Sequence, residues 1–577
     1  MTRKTKNIFN FFWLFIGIGI FLSCKSREET VPLKAKGGKV YGGEFRFISP
    51  EVISKLFPVT STDVYSQRIN TQIFETLLQL DIQTMEVKPL IAESFQVNDD
   101  ATVFTFQIRK GIYFHKDPCF GGIGRELTAA DVKFSLEMAC AGFHGNSSVN
   151  LFIDKVKGAR SFYEKTRNSF TNTGIQGIKL LDNNSIQIEL QEPFVGFDKI
   201  LTMPNLSIFP PEAYKYYGKL WPLHPVGTGP FILERMDESG IILSRNSNYW
   251  RKDELGNQLP FLSKVIMTYA KDKKQELQAF TNKNIDIVLD IPAEEIQFFL
   301  GSLKDAQDGK NVKHKVESKS SFSIDYVGFN CNSSEFSNVK VRKAFNYAIN
   351  RKALVDNWMG GEGWPATNGF VPPLGGFDIG KVRDIVSKPE TAKQLLAEAG
   401  YPGGKGFPEL TFYVNAKAGS SIHNMCLGIA DQLERTLSVK LKIKLCTLDE
   451  LNNAISSGLA KIWRSGWIAD YPDAESFLSL FYSSNVSNKT SEENRFAYVN
   501  SDFNLKMKLA SSERNVSTRN DLYVKCSQII VDDSPVIPII NNDFIVMVNT
   551  RVKNFHTNEM QMLDFSSIFI KDPEKKM

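Results

Sequence analysis

Asp470, Asp473 and Glu475 form an acidic cluster in this 577-residue chain. Grouped carboxylates can hold calcium, move protons or meet a cation. A calcium loop is a poor fit, because the spacing lacks the EF-hand glycine and the further oxygen ligands. The trio divides instead. Asp473 is expected to cap a helix beginning at Ala474, with Glu475 favourably placed in its first turn. Asp470 is left between Trp467 and Tyr471 in an otherwise apolar stretch, where a carboxylate needs a cationic partner or several hydrogen bonds. That partner is either structural or a ligand.

Other chemistry is hard to find. The six histidines (His115, His144, His224, His314, His423, His556) are scattered, with no two at metal-ligand spacing. Neither H-E-x-x-H nor G-x-S-x-G occurs. Gly227-Thr228-Gly229 lacks the third glycine of a dinucleotide fingerprint. Gly404-Lys405 runs into Gly406, where a phosphate loop needs Ser or Thr. Both read as turns. Triads assemble from distant residues, so missing motifs lower the prior for an enzyme without abolishing it. The expectation is a non-enzyme with no cofactor and no metal.

The elements that position these residues are mixed. Thr102 to Arg109 alternates, with Phe104, Phe106 and Ile108 on one face, and reads as a half-buried strand paired in a hairpin with Ser94 to Val97. Ile178 to Leu190 repeats the pattern around a turn at Asp182-Asn183-Asn184. Thr128 with Asp131 resembles a capping box opening a helix through Cys140. Asn338 can cap a second helix, and a third runs from about Pro389 to Ala399, stopped by Gly400 and Pro402. No fixed-period repeat appears. Large α/β lobes suit this irregular alternation better than a barrel or a solenoid.

The length implies several domains. Net charge is +5, and the basic leader residues Arg3, Lys4 and Lys6 leave +2 on the remainder, which gives no nucleic-acid footprint. Residues 1–23 read as an export signal: a basic start, then an apolar stretch from Ile8 to Leu22 that is short for a spanning helix. It ends Ser23-Cys24, which resembles a bacterial lipobox with Cys24 as the acylated residue. The alternative is an uncleaved anchor with an incidental cysteine, and both place the body outside the cytoplasm. Residues 24–38 read as a tether. Cys119, Cys140, Cys331, Cys426, Cys446 and Cys526 remain, without any C-x-x-C. An oxidising compartment permits disulfides, Cys119 and Cys140 being the nearest candidates, but buried free thiols fit equally well.

Several segments together resemble the family 5 extracellular solute-binding proteins, which include the oligopeptide- and dipeptide-binding proteins of ABC importers. They are Tyr65 to Asn70 leading to Ile73-Phe74-Glu75-Thr76-Leu77-Leu78, then Pro89 to Phe95, Phe104 to His115, Leu127 to Ser135, Gly227 to Phe231, and Val341 to Arg351. Each is weak alone. Their collinear order over about residues 40 to 550 carries the resemblance.

The resemblance implies an α/β fold of two lobes, periplasmic-binding-protein-like (class II), with an extra domain inserted in the first lobe. The first lobe would comprise 39–79, the inserted domain 80–210, then 211–317 and 538–577, and the second lobe 318–537. Arg464-Ser465-Gly466-Trp467-Ile468-Ala469-Asp470-Tyr471 looks like the family segment whose aspartate binds a peptide's ammonium. Asp470 would take that role and Arg464 would reach a short peptide's carboxylate. Gly466 would offer backbone, and Trp467 backbone and a wall. The implied partners are a short peptide, the membrane subunits of an ABC permease, and a membrane through lipid on Cys24, with the protein a monomer. Pro538-Ile539-Ile540-Asn541 departs from the family's late tyrosines, and an insertion around Cys119 to Gly124 lengthens a first-lobe loop. Both leave a nickel complex, haem or an oligosaccharide open as cargo. A secreted hydrolase with a similar cleft is the reading from another class, and no nucleophile beside a base supports it.

Overall fold

A computed structural model of the chain describes residues 34–571, apart from 62, 169, 171–172, 271, 292–313, 360–361 and 484–493. The expected signal segment 1–23, the acylation candidate Cys24 and the tether up to 33 lie outside the described residues.

Sheet topology divides the chain. Strands Glu44–Ser49, Lys264–Tyr269, Gly240–Arg245 and Phe231–Asp237 form one sheet in that order, the first pair parallel. A second, wholly antiparallel sheet runs Ala92–Val97, Val103–Ile108, Ser185–Glu189, Ile178–Asp182. These two share one apolar core, in which Phe45, Phe104, Ile186 and Phe565 are fully buried. The third sheet has six strands in the order Trp364–Pro365, Val536–Asn541, Ser323–Phe329, Ile462–Ile468, Leu410–Asn415, Leu441–Cys446. Side chains cover it on both faces. Ile324, Tyr326 and Trp463 belong to one core, and Val327, Phe329 and Ile462 to the other. A buried sheet of this kind needs near-continuous apolar strands, and every residue of Ser323–Phe329 is buried.

A small sheet of Ile287–Val288, Asp543–Asn549 and His314–Ser320 leads into the large one. The chain crosses from Ser320 to Ser323 and returns from Asn541 to Asp543. The result is an α/β protein of two lobes joined by two crossovers, with a second sheet in the first lobe.

Local chemistry explains the element ends. Asp131 reaches back to the Thr128 amide at 2.8 Å, opening the helix Ala129–Cys140. Asn338 accepts from Lys340 N–H at 2.9 Å and caps Val339–Ala348. Pro389 begins Pro389–Glu398, since a first-turn position needs no N–H, and Gly400 follows its end in a left-handed conformation. The six cysteines among the described residues are free thiols, with Cys140, Cys426 and Cys526 buried. Among the described residues no helix is long and apolar enough to cross a membrane.

Candidate functional site

Strand Ile462–Ile468 carries most of the expected site, and its pleat sorts the side chains. Trp463, Ser465 and Trp467 share one face; Arg464, Gly466 and Ile468 share the other. The neighbouring strand pairs Asp325 with Gly466 and Val327 with Arg464, so Asp325 and Arg464 are diagonal neighbours on one face. They form an ion pair, with side chains only 7% and 11% exposed. Asn542 Nδ2, within the second crossover, donates to the other Asp325 oxygen at 3.0 Å. Burial pulls the Arg464 guanidinium down to about 10, which leaves it charged at neutral pH.

Gly466 is exposed above this pair. A Cβ there would come within 3.3 Å of Asp325 Oδ1 and 3.6 Å of Arg464 Nη2, so any larger residue would crowd the pair.

Trp467 is half-buried and its Nε1 donates to the Ser476 carbonyl at 2.9 Å. The Asp470 N–H donates to Ser476 Oγ, also at 2.9 Å. One buried serine therefore fixes both the indole and the backbone of the acidic residue. Asp470 itself is exposed, against the expectation that its apolar neighbours would bury it. The strand ends at Ile468, and the turn that follows sends Tyr471 inward in its place. Tyr471 joins the first-lobe core and donates its hydroxyl to Glu475, whose carboxyl burial pushes up.

The acidic trio does not converge. Glu475 goes to Tyr471, and Asp473 forms an ion pair with Lys199 of the first lobe, with Arg519 at 3.8 Å. Asp473 also accepts from the Glu475 N–H at 3.1 Å, so it satisfies a first-turn amide, although the helix is only Glu475–Leu478 and Ala474 occupies its cap position. Further contacts join the lobes nearby: Val195 N–H to the Ser511 carbonyl at 2.9 Å, Lys508 to Glu192 at 3.0 Å, and Arg514 to the Asn98 carbonyl at 3.1 Å. Residues 470–475 thus lie where the lobes meet.

Sequence reasoning missed Asp325, Asn542, Ser476 and Lys199. Asp325 had a visible signal, being the one acid in the otherwise uncharged run Ser323–Phe329. The other three had none, because their roles depend on contacts distant in sequence or on how a turn folds.

Two lobes joined by two crossovers, with a charged turn where they meet, are an architecture able to close around a solute. The description "Bacterial extracellular solute-binding proteins, family 5 Middle" matches residues 86–489, and the chain belongs to this family. It is 27% identical over 495 residues to heme-binding protein A of Haemophilus influenzae, covering 84% of each chain. It is 26% identical over 495 residues to the glutathione-binding protein GsiB of Salmonella choleraesuis, covering 84% of this chain and 86% of that one. In fold it resembles the periplasmic binding protein DppA of Helicobacter pylori in complex with peptide STSA, with a TM-score of 0.76, 24% identity, and 92% of this chain and 99% of that one covered. Family 5 members are non-catalytic receptors. The chain is an extracytoplasmic solute-binding protein.

Proposed function

We propose that the solute is a short peptide, captured between the lobes with its ammonium on Asp470. One observation carries this reading: an exposed carboxylate sits on the turn whose next residues, Tyr471 and Asp473, engage the opposite lobe. A cation bound there would be enclosed as the lobes meet, and a charge-assisted bond strengthens as water is excluded. Trp467 would wall the first ligand side chain, and the exposed backbone of Gly466 would pair with an extended ligand. Arg464 enters the site as half of its ion pair with Asp325.

The expected bounds, 39–317 and 538–577 with the inserted domain 80–210 against 318–537, move by a few residues to the crossovers. Val536–Asn541 is a strand of the six-stranded sheet and His314–Ser320 one of the small sheet. Contacts to both lobes favour the closed arrangement, which is offered to the permease. Lipid on Cys24 would hold the receptor, acting as a monomer, at the membrane surface.

Calorimetry tests the assignment with one tripeptide, free and N-acetylated, on wild type and Asp470→Ala. Asp470 is exposed, so the variant should fold normally and lose at least about 30-fold in affinity for the free peptide, roughly 2 kcal/mol. Equal binding of the free and acetylated peptides by wild type would remove the ammonium assignment. Mass spectrometry of the ligand carried through purification separates peptide from haem, glutathione, a nickel complex or an oligosaccharide.

A further inference from the structure

Arg464 is the fixed cation that a ligand carboxylate would seek beside Gly466, and the fold has already given it an anion. The register makes this unavoidable. Asp325 lies directly across from Gly466, and the Arg464 side chain, on the same face two residues away, lies against it. Asn542 holds the second Asp325 oxygen at 3.0 Å, so the carboxylate is anchored from the crossover as well as by its strand. Both side chains are about nine-tenths buried, and the backbone of Gly466 lies beside them. Arg464 keeps further N–H groups, and Arg125 in the first lobe pairs with both Asp131 and Glu212. The Arg464–Asp325 pair, however, is net neutral, so a ligand carboxylate placed there meets no uncompensated positive charge to offset its own desolvation.

We propose that Asp325 is a specificity-determining residue: by neutralising Arg464 it makes the site indifferent to a carboxylate on its ligand. This deepens the peptide reading and rests on it. Ligands are then chosen by their cationic end. Peptides of different length, or with a blocked C-terminus, are accepted alike, and ligands that depend on carboxylate recognition gain nothing from Arg464.

The experiment is calorimetry on one tripeptide as the C-terminal acid and the C-terminal amide, with glutathione and haem as further carboxylate-bearing probes. Wild type should bind acid and amide within about threefold. Asp325→Asn releases Arg464, so affinity for the acid should rise about tenfold or more while the amide stays put. The charge-neutral double variant Asp325→Asn with Arg464→Gln should lose that gain, and it keeps the test readable if Asp325→Asn alone fails to fold. A wild-type preference for the acid of about tenfold that disappears in the double variant overturns the proposal. So does a single variant that shifts acid and amide equally. Should wild type bind neither peptide form, the peptide reading falls, and the proposal is decided by glutathione and haem. Their affinities must rise in Asp325→Asn and return in the double variant, and unchanged affinities overturn it.

Discussion

Lys199 of the first lobe and Asp473 of the second form an ion pair three residues beyond Asp470. The turn proposed to hold the ligand is therefore also part of the seam between lobes. The Asp473 side chain is only 8% exposed, so solvent screens this pair less than an open surface bridge. Lys199→Met keeps the apolar stem and removes the charge, and should shift the balance toward the open form. Ligand affinity should fall about tenfold, roughly 1.4 kcal/mol, and the ligand-free radius of gyration in solution scattering should rise. Lys508→Met is the control, since Lys508 and Glu192 are both exposed and should contribute nothing measurable. Identical affinity and radius in Lys199→Met would mean that this bond does not bear on closure.

Ser476 is the second point at which the turn is held. Its hydroxyl accepts from Asp470 N–H and its carbonyl accepts from the Trp467 indole. Ser476→Ala removes only the first bond, leaving a backbone donor short of a partner. Stability should drop by about 1 kcal/mol. The expected binding result is a three- to tenfold loss, roughly, because Asp470 would be less firmly placed. A stability loss with unchanged affinity would show that the turn needs no pinning for recognition.

The fold was legible wherever the information was local. Phe104, Phe106 and Ile108 alternate and are all buried in the strand Val103–Ile108, and Asn338 caps the helix it precedes. The site was legible as a segment but not as a set of contacts. Asp470 has apolar neighbours on both sides, and sequence proximity therefore suggested burial, yet the strand had already ended and the turn exposes it. Arg464 looked available because its partner lies on a strand far away in the sequence, and only register brings Asp325 beside it. Lys199 meets Asp473 across 274 residues, a distance over which no propensity or period carries information.

Gly328 has a tertiary requirement that sequence did not flag. It pairs directly with Trp463, whose indole is fully buried in the second lobe. A Cβ on residue 328 would lie 2.6 Å from that ring, too close for any pair of carbons. Gly328→Ala should therefore overpack the core at a cost of about 1–3 kcal/mol, the surrounding sheet being buried on both faces. Urea unfolding followed by tryptophan fluorescence should show the transition that reports Trp463 moved to lower denaturant. A midpoint unchanged from wild type would mean the indole can shift at no cost.

His115 sets an acid limit in the first lobe. It is buried, and its Nε2 lies 2.9 Å from the Gly229 carbonyl. A carbonyl only accepts, so Nε2 carries the proton, while Nδ1 has no protein partner to compensate a second one. Burial lowers the folded pKa to about 4 from the ordinary 6.5. Between those values the unfolded chain binds a proton that the folded chain refuses, so stability from this group is full above pH 6.5 and declines as pH falls toward 4. Other groups act in the same window: burial raises the carboxyls of Glu75 and Glu475, which pushes stability the opposite way. The comparison must therefore be wild type against His115→Gln, which keeps an N–H for Gly229 but does not titrate. At pH 7 the variant should be less stable because its packing is poorer, and by pH 5 the gap should narrow by roughly 2 kcal/mol. Chemical unfolding at the two pH values measures it directly. A gap that stays constant would mean that His115 takes its proton equally well in the folded and unfolded chains.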